Sequence, residues 1–224
     1  MRPLGRAEPM ATEQDDEALY SAWERGDLKA ADKLIGRHLH SVGRFLANKV
    51  VNAADAEDMA CKVFEVCARR LGTFERKSSF RTYLFGIAHN VLRDYIKLNS
   101  RKKGAEADFD VMTIFDLGPS PSAVMGHKKE QALLLRALRA IPLSCQIVIE
   151  LSFFEEMTQI EIAELLDLPP GTVASRLRRG KIRLDAKIEE LAESLEVLTS
   201  TQHGLQDWAA DLKAQIALFA PKAP

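Results

Sequence analysis

Prolines punctuate this chain in a few places: Pro3 and Pro9, Pro119 and Pro121, Pro142, Pro169 and Pro170, Pro221 and Pro224. Between them apolar residues recur at three- and four-residue spacing, the period of a helix with one buried face. No stretch shows the apolar–polar alternation of a half-buried strand, so the chain reads as all-α. The pattern breaks at 99–126, where charged NSRKKGAEADFD gives way to GPSPSAVMGH, rich in Gly, Pro and Ser. Such a stretch is a linker, and it divides the chain into two helical modules. A length of 224 residues suits two small domains. The expected division is a flexible arm at 1–16, a first domain at 17–98, a linker at 99–127, a second domain at 128–188 and a helical extension at 189–224.

Charge and composition narrow the function. Lys plus Arg number 31 against 32 Asp plus Glu, a net charge of −1. A chain so balanced does not hold nucleic acid by bulk positive charge, and any such site is a local patch. The three cysteines, Cys61, Cys67 and Cys145, form no C-x-x-C pair. That argues against a disulfide framework or cysteine-based zinc site and for a reducing cytoplasm. No apolar run nears the ~20 residues that span a bilayer, and the first residues lack the apolar core of a secretory signal. His38, His40, the Glu57-Asp58 pair and His89 are the only candidates for catalysis. They match no metal or nucleophile motif, so neither enzyme activity, metal nor cofactor is expected.

In the first module, helices are expected at about 16–23, at 28–49 with Asp27 as cap, from near Asp55, and from Ser78-Ser79 to about Leu98. The acidic first turn of the third (Asp55, Glu57, Asp58) suits the positive end of the helix dipole. Its apolar stripe is Met59, Val63, Val66/Cys67 and Leu71; Asp58, Lys62, Glu65 and Arg69 lie opposite. On the fourth helix Tyr83, Gly86, Asn90, Arg93 and Lys97 share one face over roughly 21 Å. An aromatic, an amide and two cations in a row suit single-stranded DNA, and Arg101, Lys102 and Lys103 extend the positive track.

The second module carries the most informative segment, TQIEIAELLDLPPGTVASRLRRGKIRL. Thr158 and Glu161 make a capping box that fixes a helix start, with Ile160, Ile162, Ala163, Leu165 and Leu166 as its buried side. The turn Asp167-Leu168-Pro169 is short, and Pro170 falls where a first-turn proline is tolerated. Two helices so joined form a helix-turn-helix. The second helix offers Thr172 and Ser175, then six bases (Arg176, Arg178, Arg179, Lys181, Arg183, Lys187) against one acid, Asp185. A recognition helix enters the major groove by its N-terminal half, where Arg reads guanine. Val173, Leu177, Ile182 and Leu184 are expected to face inward. Beyond it, Leu205, Trp208, Leu212, Ile216 and Phe219 form another amphipathic stripe.

IAELLDLPPGTVASRLRRGKIRL resembles the C-terminal DNA-binding region of bacterial sigma-70 family sigma factors of the extracytoplasmic-function (ECF) group. AEDMACKVFEVCARRLGTFERKSSFRTYLFGIAHNVLRDYIK resembles that family's N-terminal signature, an Ala-Glu-Asp helix, a Phe-containing loop, a Ser-Phe-x-x-Trp/Tyr-Leu turn and an Ile-Ala-x-Asn helix. The resemblance implies a sigma region 2-like helical bundle and a sigma region 4-like helix-turn-helix joined by a linker, with a C-terminal amphipathic helix. The first would bind the clamp helices of the RNA polymerase β′ subunit and open the −10 promoter element. The second would bind the β flap and read the −35 element in duplex promoter DNA. The resemblance also implies an anti-sigma factor as a further partner, since many relatives are held inactive by one.

Carried onto this sequence, the resemblance implies core-polymerase contacts at Asp58, Cys61, Lys62 and Glu65. Cys61-Lys62 replaces the family's usual Gln-Glu pair. It implies −10 contacts at Phe74, Arg76, Lys77, Tyr83, Asn90, Arg93 and Lys97, with Phe74 as the wall of a flipped-base pocket and Asn90 as its amide. Tyr83 stands where most relatives carry Trp. It implies −35 contacts at Thr172, Ser175, Arg176, Arg178, Arg179 and Lys181. Ala174 stands where relatives often carry a base, and Pro169 where many carry a capping Ser. The alternative is a polymerase-independent helix-turn-helix regulator, but such proteins usually carry a sensor or receiver domain, and no such pattern is present. Residues 189–224 hold six acids and two bases, so the extension could screen the recognition helix.

Overall fold

The computed structural model describes residues 9–102, 104, 106–114 and 129–192. Among these residues there are eight helices and no strand. The N-terminal four are α1 (Pro9–Glu24), α2 (Leu28–Ala47), α3 (Ala53–Arg69) and α4 (Phe80–Lys102). The C-terminal four are α5 (Lys129–Arg139), α6 (Leu143–Phe153), α7 (Gln159–Leu166) and α8 (Pro170–Leu191). The all-α expectation holds. The stripe containing Trp208 lies outside the described residues.

Helix starts follow the capping chemistry read from sequence. Asp27 accepts from the backbone N–H of Lys29 and Ala30, and the Ser79 hydroxyl accepts from Thr82 N–H; Asn52, a cap the sequence reading did not single out, starts α3. Two boundaries differ. Helix α1 already begins at Pro9, and Asp16, expected at the end of a frayed arm, is buried. It accepts from the Arg37 guanidinium and pairs with His38 Nε2 at 2.7 Å. Burial pushes its carboxyl up, but its bonds to His38 and Arg37 outweigh that and hold it below the usual range. The linker's apolar residues also divide. Ile114 is fully buried and Met112 packs against the same core, whereas Val111 is exposed.

The hydrophobic core does not divide at the linker. One cluster joins Phe45, Val50, Phe85 and Leu92 of the N-terminal helices to Leu143, Ile147, Val148, Leu151, Ile162 and Val173 of the C-terminal ones. A second gathers α5, Cys145 and Ile149 of α6, and Leu184 and Ile188 of α8. Helix α6 is shared by both, and every residue from Leu143 to Leu151 is buried. A helix buried on every side, as this one is, sits at the centre of a protein.

The polar residues of α6 meet the turn after α2, whose last carbonyls have no partner within their own helix. Lys49, with no exposure, donates to Phe45 O and pairs with Glu150. Arg139 donates to Val50 O at 3.0 Å, and Gln146 Nε2 to Asn48 O and to Glu150. Nearby, Arg44 pairs with Glu155 and lies over the Phe154 ring. The pairings between the two halves have no sequence signature, because they join residues about 90 to 110 positions apart.

Helix α8 approaches α6 at Gly180. A Cβ there would stand 2.9 Å from Ile149 Cδ1 and 3.1 Å from Cys145 Cβ, closer than packed side chains tolerate. Gly180→Val is expected to lower unfolding free energy by about 1–3 kcal/mol through overpacking. Gly180→Ala should lose less, because its gain in helix propensity of about 1 kcal/mol offsets the crowding. Chemical denaturation of the two variants measures the difference.

Candidate nucleic-acid interface

The helix-turn-helix forms as its sequence directs. Thr158 and Glu161 cap each other reciprocally. Asp167 closes α7 in the left-handed region at φ 53, which a short Asp side chain tolerates. Pro170 opens α8. Ile162, Ala163 and Val173 are buried between the two helices and the core. Two inward assignments are corrected: Ile160 is 65% and Ile182 60% exposed. The buried stripe of α8 runs Val173, Gly180, Leu184 and Ile188, and at about 100° per residue Ile182 falls on the other side of that helix.

On α8, Arg178, Arg179 and Lys181 are exposed, and Thr172 and Ser175 are half-buried. The Lys181 ammonium sits 4.7 Å from the centre of the Phe153 ring. Ser175 Oγ donates to Thr172 O, so its hydroxyl proton is already engaged. Arg176 stands apart. Its side chain is only 18% exposed, and its Nη2 donates to Asp110 of the linker at 3.1 Å.

In the N-terminal half, Asp58, Cys61, Lys62 and Glu65 form an exposed strip on α3, away from the buried Met59, Val63 and Cys67. Lys62 and Arg69 both pair with Glu65, and these cations draw its carboxyl pKa down. Such exposed pairs exchange readily for contacts with a partner, because they add little to stability.

The loop at 71–79 turns its aromatic residue inward. Phe74 is 4% exposed, with its ring centre 5.3 Å from Tyr20, 5.9 Å from Phe80 and 4.9 Å from Tyr83. Its face is covered by other rings and is not open to a base, so in this conformation Phe74 is a core residue. The hydrophobic gain from burying four aromatics together decides its orientation. Tyr83 is half-buried, and its buried hydroxyl finds no acceptor. Arg76 takes φ 56 and pairs with Glu24, while Lys77 pairs with Glu75 in the same loop. Asn90, Arg93 and Lys97 are exposed along α4 as the periodicity predicts.

Arg93 and Lys97 nevertheless face the second module. With His89 they line one side of a crevice of about 430 Å³, and Ser144, Leu168 and Arg176 line the other. The linker segment Glu106–Phe109 closes its edge. Sequence reasoning singled out Arg93, Lys97 and Arg176 separately and did not bring them together. It missed Asp110, which accepts from Ser144 Oγ at 2.5 Å as well as from Arg176. The Ser144 bond first, and then the Arg176 charge, hold the Asp110 carboxyl below its ordinary pKa. His89 is pushed down to about 4 by burial, and by Arg93, Lys49 and Arg176 around it.

Among the described residues no group of three or more His, Cys, Asp or Glu side chains is placed to hold a metal ion, and no helix is long and apolar enough to cross a membrane.

Two family models match the chain: Sigma-70 region 2 over residues 34–102 and Sigma-70, region 4 over residues 131–184. The ECF RNA polymerase sigma-E factor of Escherichia coli is 27% identical over 190 residues, covering 81% of this chain and 98% of the relative. The RNA polymerase sigma-H factor of Pseudomonas aeruginosa aligns with the same identity and coverage. The structure of CnrH in complex with the cytosolic domain of CnrY superposes with a TM-score of 0.60 at 20% identity, over 80% of this chain and 99% of that one. The sigma factor RpoE, from its co-crystal structure with the anti-sigma factor NepR from Bartonella quintana, gives 0.55 at 18% identity, over 73% and 97%.

Two measurements check the geometry. Phe74→Ala is expected to lower unfolding free energy by about 3–5 kcal/mol, the cost of emptying a buried aromatic site; an exposed stacking residue would lose far less. The neutral His89 makes the fold bind fewer protons than the unfolded chain between its ordinary pKa of 6.5 and about 4. Stability therefore falls as pH drops through that window. Melting temperatures at pH 7 and pH 5 should differ more for the wild type than for His89→Gln.

Proposed function

The chain belongs to the sigma-70 family, in its extracytoplasmic-function group, and from that premise we propose how its residues divide the work of promoter recognition. It is an RNA polymerase sigma factor, a subunit that directs the core enzyme to promoters. Helices α1–α4 act as the polymerase- and −10-binding module, and α5–α8 as the −35-binding module. The observation that carries this reading is the order of the parts. A region 2 helical bundle precedes a capped helix-turn-helix whose second helix presents exposed Arg178, Arg179 and Lys181 in an otherwise neutral protein.

On α3, the strip of Asp58, Cys61, Lys62 and Glu65 contacts the β′ clamp helices. The exposed amide of Asn90 reads an unstacked −10 base, while Arg93 and Lys97 follow the single-stranded backbone. Arg76 and Lys77 add charge from the preceding loop once released from Glu24 and Glu75. On α8, Arg176 and Arg179 read base edges in the major groove, and Thr172, Ser175, Arg178 and Lys181 hold phosphates. No bond chemistry is required of the protein: capturing unstacked bases lowers the free energy of promoter opening. A subunit with this task acts in the cytoplasm beside polymerase. An anti-sigma protein is a further partner, since RpoE, whose fold it shares, was solved with the anti-sigma factor NepR, and CnrH with the cytosolic domain of CnrY.

Run-off transcription with purified core polymerase and a promoter library tests the reading: promoter-specific transcripts are expected only when this chain is added. Co-purification with core polymerase separates it from a polymerase-independent regulator. Asn90→Ala should change −10 preference without loss of polymerase binding. Arg176→Ala should weaken −35 recognition by about 1–3 kcal/mol, the worth of one bidentate base contact. Unchanged promoter choice in both variants would contradict the assignment.

A further inference from the structure

We propose that Glu24, which lies on no surface assigned to polymerase or DNA, is a positioning residue for promoter opening: it competes with a strand phosphate for Arg76 and so sets how readily the 71–79 loop engages the −10 strand. The inference rests on the reading of that loop as a −10 contact and names a residue that tunes it. Both partners belong to the N-terminal half, so the placement of the two halves has no part in it.

The loop is fastened to α1 at two points. At its base the Gly72 N–H donates to the Tyr20 hydroxyl at 3.0 Å. Near its tip Arg76 Nη2 donates to Ser21 Oγ at 3.2 Å and to Glu24 Oε2 at 2.5 Å. The guanidinium carbon of Arg76 also stands 5.7 Å from the centre of the Tyr20 ring. Between these points Phe74 is sunk among Tyr20, Phe80 and Tyr83. Lys77, by contrast, pairs with Glu75 of the same loop, a bond that travels with the loop.

Helix α1 is the fixed party. Tyr20 has no exposure, and one turn earlier Asp16 is buried against Arg37 and His38 of α2. The loop is the movable one. Gly72 at φ 85 and Arg76 at φ 56 are both left-handed. Glycine takes that shape freely, but a long side chain takes it at a cost and keeps it only while its surroundings hold it there. Ser21 and Glu24 supply that hold. Releasing them relieves the strain, and residues 75–79 can then swing while Phe74 stays among its rings.

The pair is placed to exchange. Glu24 is the last residue of α1, where the helix dipole disfavours a carboxylate, and Arg76 compensates it. The two side chains are 24% and 41% exposed, and a pair so open to water adds little to stability. A phosphate oxygen offers arginine the same charge-assisted bond as the carboxylate it replaces. Breaking the Glu24 pair costs the same on every sequence, because a phosphate carries no base identity. Glu24 therefore acts on the strength of strand capture and not on which base is read.

The test uses holoenzyme assembled from core polymerase and the full chain, on a promoter that the run-off library returns. Fluorescence anisotropy gives the affinity for two labelled forms of it: a fork whose non-template −10 strand is unpaired, and a duplex that ends upstream of that element. The ratio of the two isolates the −10 strand. Glu24→Gln should raise the ratio about two- to fivefold, what a half-exposed ion pair is worth, and by the same factor on a fork with one −10 base changed. Glu17→Gln removes the same charge from the same face of α1 two turns earlier, and should leave the ratio unchanged. Arg76→Ala should lower the ratio, and in that background Glu24→Gln should have no effect. A carboxylate that merely repelled DNA would still act in Arg76→Ala, and one that only braced the fold would lower the ratio when removed. No gain from Glu24→Gln, an equal gain from Glu17→Gln, or a gain that persists in Arg76→Ala overturns the proposal. Arg76→Ala separates the two readings. If it lowers the ratio while Glu24→Gln changes nothing, the loop is a −10 contact and only the role of Glu24 fails; if it leaves the ratio unchanged, the assignment of Arg76 to the −10 strand fails and takes this inference with it.

Discussion

Lys49 lies with no exposure at the end of α2, and its ammonium is shared between the Phe45 carbonyl, the Glu150 carboxylate and the face of the Phe45 ring, 3.7 Å away. Burial lowers its pKa, and Glu150 opposes that shift. An unpaired charge in such a place is not tolerated, so the position of Lys49 depends on α6 arriving with Glu150. Around this pair the remaining parts find their seats. Arg139 and Gln146 satisfy the carbonyls of Val50 and Asn48 in the turn after α2, and α6, like α8, is shared by both hydrophobic clusters.

The nucleic-acid surfaces follow from that seating. With α6 fixed, α7 packs on α4, and the face of α4 carrying Arg93 and Lys97 meets Arg176 of α8. The α3 strip at Asp58, Cys61, Lys62 and Glu65 stays exposed, as do Arg178, Arg179 and Lys181. The surface assigned to polymerase is thus open, while the surfaces assigned to DNA are partly turned inward. A net charge of −1 is consistent with a subunit that reaches DNA through its larger partner rather than through its own long-range field.

The two corrections on the helix-turn-helix and the burial of Phe74 both turn on which neighbours a side chain meets. Ile160 and Ile182 are apolar residues on helices whose buried arcs are narrower than their apolar content, so composition placed them inside and angle placed them out. Phe74 is the converse. Its neighbours in sequence, Glu75, Arg76 and Lys77, read as a polar loop, but Tyr20, Phe80 and Tyr83 converge on it from α1 and α4. A lone aromatic in a polar loop goes where other rings are.

Local chemistry was enough to determine much of this protein. The 3.6-residue period, the Asp27 cap, the Thr158–Glu161 box and the Pro170 start are interactions within a few residues, and they set the helices, the helix-turn-helix and the family signature. Their energies belong to the chain segment itself and survive any rearrangement around it. Tertiary structure alone decided that α6 is central, that Lys49 and Arg44 have buried partners, and that Asp110 reaches Arg176 across 66 positions of sequence. Those contacts join groups whose attraction exists only after the chain has closed around them and removed the water, and no spacing in the sequence encodes that step.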